Sequence, residues 1–387
     1  MKLTRNHLII LIIMVTEVLG FSLILPFLPL YAQEMGASPF MVGMLLTTFS
    51  LFQFVSAPIM GRLSDIYGRK PLLIISQLST LASFLILAFS HSLWMLYLSR
   101  AVDGLLGSNG TIAQAYLSDI SDKKNRSKAF GISGVAFGIG FMIGPAIGGF
   151  LSQFGYNLPA YIAAFVSFLS IILTILILPE TVKKQREVKF SFTIIDVKGF
   201  KDFWAQKKVR QQLLEFATYA FAQILFTSNF AIYTNKKIGV TSQDIGYALT
   251  YVGAITIIIR GFLIPRLIDK FGEKTLEKIG VISMIIGLFG LSIITQWNQI
   301  YLVITFFALG TALVRPLMMG DISRSVDDKK QGAILGIAGS VNSTAQIIGP
   351  LVGGTLLTYC FPNSVVYLAA SLMVVGLILV IKEGNKR

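Results

Sequence analysis

Apolar runs of about 20 residues recur along the whole of this chain, separated by short polar turns, and each is long enough to cross a hydrocarbon layer of roughly 30 Å as a helix. Twelve such runs lie at 7–31, 41–60, 71–91, 94–117, 129–152, 160–179, 212–234, 245–264, 279–296, 300–319, 333–357 and 364–381. None alternates apolar and polar positions, as the strands of a membrane barrel do. Lipid admits only closed barrels and helices, because every backbone polar group must be paired internally. The pattern therefore predicts an all-α membrane protein: two six-helix bundles, 1–179 and 212–387, joined by a basic linker at 180–211. The first run is about 24 residues long, lacks a small-residue cleavage site and is followed by another span, so it reads as a membrane helix and not as a cleavable signal.

Composition agrees: the 387 residues are 54% hydrophobic and 13% charged, with a mean hydropathy of +0.72. A net charge of +14 raises nucleic acid as a partner, and the placement of the cations decides against it. Lys2, Arg5, Arg62, Arg69, Lys70, Lys123, Lys124, Arg126 and Lys128 fall on one side of the twelve spans, as do the linker, the loops 266–278 and 320–330, and Lys382, Lys386 and Arg387. The other side holds only Lys236 and Lys237. Positive residues are retained on the cytoplasmic side, so both termini are expected in the cytoplasm, with the lipid bilayer and not nucleic acid as the partner. Within the linker, Val197, Phe200, Phe203 and Trp204, with Lys198, Lys201, Lys207 and Lys208 nearby, suit either an amphipathic helix on the inner leaflet or a solvated connection.

Cys360 is the single cysteine, which excludes a disulfide framework or thiolate metal site within one chain, and His7 and His91 sit at expected helix ends as interfacial residues. No metal or cofactor is expected. No phosphate-binding Walker sequence is present, so ATP is not the direct energy source. There is no cluster of acid, base and nucleophile and no soluble output domain, so neither an enzyme nor a sensor is expected.

The chain also repeats itself. Gly144-Pro145-Ala146-Ile147-Gly148-Gly149 returns as Gly349-Pro350-Leu351-Val352-Gly353-Gly354, an offset of 205, with Gly131 and Gly140 matching Gly336 and Ala345. The loop from Arg62 to Lys70 returns from Arg266 to Lys274 at an offset of 204, and Asp119-Ile120-Ser121 is echoed by Asp321-Ile322-Ser323. Several matches in the same order identify two pseudo-symmetric halves. Duplication of this kind implies a binding site between the halves near the membrane midplane, reached from alternate sides as the halves rock.

Four stretches carry a family resemblance. The loop Gly61-Arg62-Leu63-Ser64-Asp65-Ile66-Tyr67-Gly68-Arg69-Lys70 resembles the signature between helices 2 and 3 of the major facilitator superfamily. Its glycines allow tight turns and its carboxylate can pair with the flanking cations. The resemblance implies a cytoplasmic latch at Gly61, Asp65, Gly68, Arg69 and Lys70; the second copy departs from the pattern at Pro265 and Glu273. In helix 5, Gly131, Gly140, Gly144, Pro145, Gly148 and Gly149 fit the pattern of the exporters of that superfamily, and small residues so spaced let helices approach closely. Helix 1, with Leu19-Gly20, Pro26 and Pro29, is similar to that of twelve-helix drug/proton antiporters. In helix 4, Arg100-Ala101-Val102-Asp103-Gly104 is similar to a motif whose buried arginine the family uses in proton coupling, although Asp103 and Leu106 depart from it. The first half, with Glu17 ahead of Gly20 and with Ala57-Pro58, especially resembles the tetracycline/proton antiporters, while the second half shares Arg315-Pro316 with the broader group. The resemblance implies a monomeric inner-membrane carrier exchanging protons for small amphipathic molecules. An importer of a sugar, peptide or organic acid on the same fold is the alternative, and the helix 5 pattern argues against it.

Charges inside hydrocarbon cost several kcal/mol each, so they face a cavity, pair or titrate. Glu17, Arg100 and Asp103 are the candidates for proton coupling; Arg100 and Asp103, three apart, share one helical face. The alternative for them is a static buried ion pair. Glu215 and Arg260, near helix ends, read as interface anchors. Candidate substrate contacts are the polar Gln53, Asn109, Gln114, Asn229, Asn342 and Gln346, the cation Arg315, and an apolar wall of Phe21, Phe49, Phe137, Phe226 and Phe230. Inter-helix hydrogen bonding and lipid contact are the plainer roles for the same residues.

Overall fold

A computed structural model of the chain describes residues 5–121, 126–182, 202–327 and 330–384. Lys2, Lys123, Lys124, the segment carrying Val197, Lys198, Phe200 and Lys201, and Lys386 and Arg387 lie outside these residues. The principal helices are α1 (Arg5–Ile24), α2 (Leu28–Glu34), α3 (Pro39–Tyr67), α4 (Arg69–Ala88), α5 (Leu93–Leu106), α6 (Asn109–Asp119), α7 (Arg126–Leu151) and α8 (Asn157–Ile177), then α9 (Lys207–Ile238), α10 (Ser242–Ile258), α11 (Ile264–Phe271), α12 (Glu273–Ile293), α13 (Trp297–Arg324), α14 (Gln331–Tyr359) and α15 (Ser364–Gly384). No strand occurs among the described residues. Nine helical segments among them are long and apolar enough to span a membrane. The apolar runs outside that set coincide with α5–α6, α9 and α14. The first of these is broken in its middle, and the other two carry many Gln, Asn, Ser, Thr and Gly side positions that lower their hydropathy. α9 and α14 pack on each other.

Besides the run at 94–117, two expected helices depart from a regular α-helix. Between α1 and α2 lies Leu25-Pro26-Phe27, where Pro26 has no N–H to donate and Pro29 sits in the first turn of α2. Between α10 and α11 a π turn spans Ile259–Leu263 and carries Arg260. In α13, Pro316 removes the hydrogen bond to the carbonyl four residues earlier, that of Ala312. Arg260 takes that place: its Nε donates to Ala312 O (3.3 Å) and its Nη2 to Thr311 O (3.0 Å). Arg260, expected as an interface anchor, donates here to the carbonyl that the proline exposed and to its neighbour.

The chain divides into two compact units. One comprises Met1–Ala37, Thr48–Ile194 and Thr241–Thr250; the other comprises Ser38–Thr47, Ile195–Val240 and Tyr251–Arg387. In the first, α1 packs on α7 and α8, and α4 on α5 and α8; in the second, α9 packs on α14 and α15, and α12 on α13 and α15. The sequence repeat is thus a repeat of packing. It extends to side chains with no motif around them. Tyr31 Oη donates to Ser90 O (2.8 Å) and Asn157 Nδ2 to Ala88 O (2.6 Å), while Tyr233 Oη donates to Leu291 O (2.8 Å) and Asn363 Nδ2 to Ser292 O (3.2 Å).

The repeated glycines form the seams. Gly140, Gly144 and Gly148 of α7 lie against Val18, Ser22 and Leu23 of α1, and Gly349 and Gly353 of α14 lie against Ile224 and Asn229 of α9. A Cβ on Gly148 would meet the Leu23 backbone carbonyl, which cannot move without shifting α1. Overpacking of this kind costs about 1–3 kcal/mol, so Gly148→Ala is expected to lower the thermal unfolding midpoint. Gly134→Ala on the same helix meets nothing within 4 Å and is expected to leave the midpoint unchanged or slightly raised. Equal midpoints for the two variants would contradict the seam.

Candidate functional site

The first unit contains a continuous polar network. α4 supplies Gln77, Thr80 and Ser83, three residues apart and therefore on one face; α1 supplies Glu17, α5 supplies Arg100 and Asp103, α6 supplies Asn109 and α8 supplies Ser170. Glu17 Oε1 accepts from Gln77 Nε2 (3.0 Å) and its Oε2 from Asn109 Nδ2 (2.6 Å). Asn109 Nδ2 also donates to Thr80 Oγ1 (3.0 Å), and Thr80 donates to Asp103 Oδ1 (2.9 Å). Asp103 Oδ2 faces Arg100 Nη1 at 3.6 Å. Arg100 donates further to Ser83 Oγ (2.8 Å) and Ser99 Oγ (3.2 Å) and lies over the Phe49 ring, 6.0 Å from its centroid. Gln77 reaches Ser170 Oγ (2.9 Å), which also accepts from Thr16 (3.0 Å).

Arg100 and Asp103 are 1% and 4% exposed, so their charges cancel locally. Glu17 is different. It is partly exposed, and among the described residues no Lys, Arg or His forms an ion pair with it. The network therefore carries one uncompensated carboxylate held by neutral donors.

A break in the helix positions these groups. α5 ends at Leu106, and α6 starts at Asn109 after Gly107-Ser108. Gly107 takes φ −73° and ψ 65° and donates its N–H to Asp103 O (2.7 Å). A Cβ there would meet both the carbonyl and the carboxylate of Asp103, so the break fits only glycine with Asp103 folded beside it. Gln53 Nε2 donates to Gly107 O (3.4 Å), and the Ser56 and Ser108 hydroxyls lie 3.4 Å apart. Thr80, Gln77 and Gly107 were absent from the candidates read from sequence. A polar stripe at positions 77, 80 and 83 is the signal that could have found Gln77 and Thr80, whereas Gly107 is set apart only by its tertiary contacts.

The other expected contacts separate into groups. Phe21 stacks on Phe49 (5.9 Å) and meets Phe141 edge-on (6.3 Å), and Phe137 stacks on Phe141 (6.2 Å). Through Phe49 this cluster reaches Arg100. Gln114 is exposed. In the second unit, Phe226 and Phe230 are buried with Phe307. Asn229 is buried against Gly353 and donates to Leu225 O (2.9 Å). Asn342 and Gln346 are half-buried, and Arg315 is exposed.

The signature loop forms its own cluster. Arg69 pairs with Asp65, donates through Nε to Asp119 Oδ2 (2.8 Å), and through Nη1 to Ser64 Oγ (2.6 Å) and Gly61 O (3.4 Å). Gly68, at φ 106°, turns the chain into α4. The Glu180 carboxylate then accepts the N–H groups of Arg69 and Lys70 (both 3.0 Å), capping the helix where unpaired donors favour negative charge. Lys70 Nζ donates to Ile175 O (2.7 Å). Asp119 and Glu180 complete the cluster from outside the motif. In the second unit Gly272 makes the same turn at φ 74°. Glu273, standing where the first copy has arginine, pairs with Arg324, which also bonds Asp321 (2.7 Å), while Lys274 pairs with Asp321 and Glu277. The guanidinium is thus supplied from α13, with the charges exchanged.

The profile of the Major Facilitator Superfamily matches residues 10–312 and 216–386. The class H tetracycline resistance protein of Pasteurella multocida is 30% identical over 97% of this chain and 94% of its own length. Multidrug resistance protein 2 of Bacillus subtilis is 28% identical over 93% of this chain and 90% of its own length. Among solved structures, the human organic anion transporter MFSD10 superposes with a TM-score of 0.73 at 19% identity, covering 98% of this chain and 100% of its own. The nucleoside transporter NupG does so with a TM-score of 0.76 at 15% identity, covering 98% and 99%. Helices apolar enough to span a membrane, the duplicated packing, the loop cluster and these likenesses agree: the chain belongs to the Major Facilitator Superfamily, with tetracycline and multidrug resistance proteins among its relatives.

Proposed function

We propose that this protein is a proton-coupled antiporter that exports small amphipathic molecules, such as drugs or tetracycline-like compounds, across a bacterial inner membrane by alternating access. In this reading it has twelve spans with both termini in the cytoplasm and works as a monomer. The observation that carries it is Glu17: a carboxylate with no cationic partner among the described residues, held by amide donors inside an otherwise neutral network. Such a group takes up either a proton or a cationic substrate, and cannot hold both charges at once. Each form moves one charge with the carrier, and this is the exchange that antiport requires. Phe21, Phe49, Phe137 and Phe141 supply an aromatic surface next to it, suited to flat apolar substrates without fixing their identity. The seam glycines of α7 support export over uptake through the family pattern that they match.

Everted membrane vesicles test this reading with tetracycline and a lipophilic cationic dye. Energised vesicles are expected to accumulate both probes, to stop when a protonophore collapses the gradient, and to release luminal protons when either probe is added. Accumulation that persists without a proton gradient would refute the coupling.

A further inference from the structure

We infer that Asn109 is a positioning residue that ties the protonation of Glu17 to that of Asp103, with Thr80 as its intermediary. The inference rests on the proton-coupled reading above and goes beyond it by joining the two carboxyl groups.

An amide nitrogen only donates. Asn109 Nδ2 has two hydrogens, one directed to Glu17 Oε2 and the other to Thr80 Oγ1. The Thr80 hydroxyl has one hydrogen, and since its oxygen is receiving from Asn109, that hydrogen goes to Asp103 Oδ1. One amide group therefore supports charge on both carboxylates, on Glu17 directly and on Asp103 through one hydroxyl. The other groups facing this path are Gln77 and Ser83 from α4, Ser170 from α8, Gln53 and Phe49 from α3 by way of Gly107 and Arg100, and Arg100 from α5. Arg100 is the only charged side chain among them besides the two carboxylates.

Protonation favours a different arrangement. Both Glu17 oxygens accept from N–H donors, and a proton added to the Oε2 lone pair that faces Asn109 meets an amide nitrogen with no lone pair to receive it. Turning the Asn109 amide over brings its Oδ1 to Glu17. That oxygen is buried and without a partner in the present arrangement. The same turn withdraws the N–H from Thr80 and offers it an acceptor, so the Thr80 hydrogen leaves Asp103. Asp103 then loses a hydrogen bond that favoured its charged form. A proton on Glu17 thereby makes a proton on Asp103 easier to add, and removal from either restores the original polarity of both. Asn109 is the first residue of α6, directly after the helix break, which sets its amide between the two carboxyl groups.

Infrared difference spectroscopy on the purified full-length protein in lipid nanodiscs reads protonated carboxyl groups directly as pH is lowered, with Glu17→Gln and Asp103→Asn assigning the two signals. In the wild type the two signals are expected to be coupled, the midpoint of each moving when the other group is replaced. Thr80→Val keeps the side-chain shape and removes the hydroxyl; Asn109→Leu removes the amide. Either is expected to reduce that movement by on the order of one pH unit, roughly a tenfold change in relative proton affinity, as the loss of one hydrogen bond would give. Thr80→Ser is expected to restore the coupling, which a purely structural role for the methyl group would not do. If Glu17 and Asp103 titrate in the wild type and Thr80→Val and Asn109→Leu leave their coupling unchanged, the inference is overturned while proton coupling stands. If neither group takes up a proton while the protein stays folded, both readings fall.

Discussion

Replacing Glu17 by glutamine is expected to reduce gradient-driven efflux to the level of vesicles lacking the protein, while a substrate without net positive charge still binds. Glutamine matches glutamate in size and keeps one oxygen for a donor, so the surrounding packing on α1 and α8 is preserved. Its second atom is an N–H group facing either Gln77 or Asn109, and one of those amides must turn to accept it. What is lost is the titratable charge, hence the only uncompensated one in the network. A carrier that cannot release a proton when it takes a substrate can still exchange substrate for substrate across the membrane. The measurement is therefore paired: proton-driven uptake into everted vesicles should vanish, and counterflow between labelled and unlabelled substrate should continue. Proton-driven uptake at the wild-type rate in Glu17→Gln would remove this carboxylate from the coupling mechanism.

A second large effect concerns stability. Asp103→Asn is expected to destabilise the protein by about 3–5 kcal/mol, the usual cost of leaving the partner of a buried ion pair uncompensated. Arg100 would remain inside the first unit with two serine hydroxyls and the Phe49 ring as its company, and none of these carries a negative charge. Asparagine can still accept from Thr80, so the loss measures charge and not the hydrogen bond. Removing both charges, as Arg100→Gln with Asp103→Asn, should recover most of the unfolding midpoint, because two neutral amides need no counterion. A double variant as unstable as the single one would show that an uncompensated Arg100 charge is not the source of the loss.

Much of the architecture was legible in the sequence because it depends on run length and on identity at a fixed offset. The helical class, the apolar runs and the two-fold repeat are of this kind. The interruptions were harder to read. Pro26 and Pro29 mark the break between α1 and α2, but nothing local distinguishes Gly107, at a helix break, from Gly104, which continues α5 against Phe49 and Phe52. The difference lies in tertiary contacts, where Asp103 folds back beside Gly107. Hydropathy likewise ranks Phe21 and Phe226 equally, although one joins a partly exposed aromatic cluster and the other is buried beside Phe307. In a chain this apolar, the side of a helix that meets protein instead of lipid is not written in its hydrophobicity. Asp119 and Glu180 show the same limit for charge: their role depends on Arg69 and Lys70, 50 and about 110 residues away.

The two loop ion clusters differ in how far solvent reaches their guanidinium groups. The Arg69 side chain is 9% exposed, whereas that of Arg324 is 56% exposed. Dissolved ions weaken attraction between solvent-facing charges over a distance of about 8 Å at physiological ionic strength and reach enclosed pairs much less. The Arg324–Glu273 pair is therefore the contact that weakens as salt rises, while the enclosed Lys274–Glu277 pair and Arg69 are screened less. Duplication gave this protein two copies of one loop cluster, and the exchange of charges left a guanidinium in the second where dissolved ions reach it.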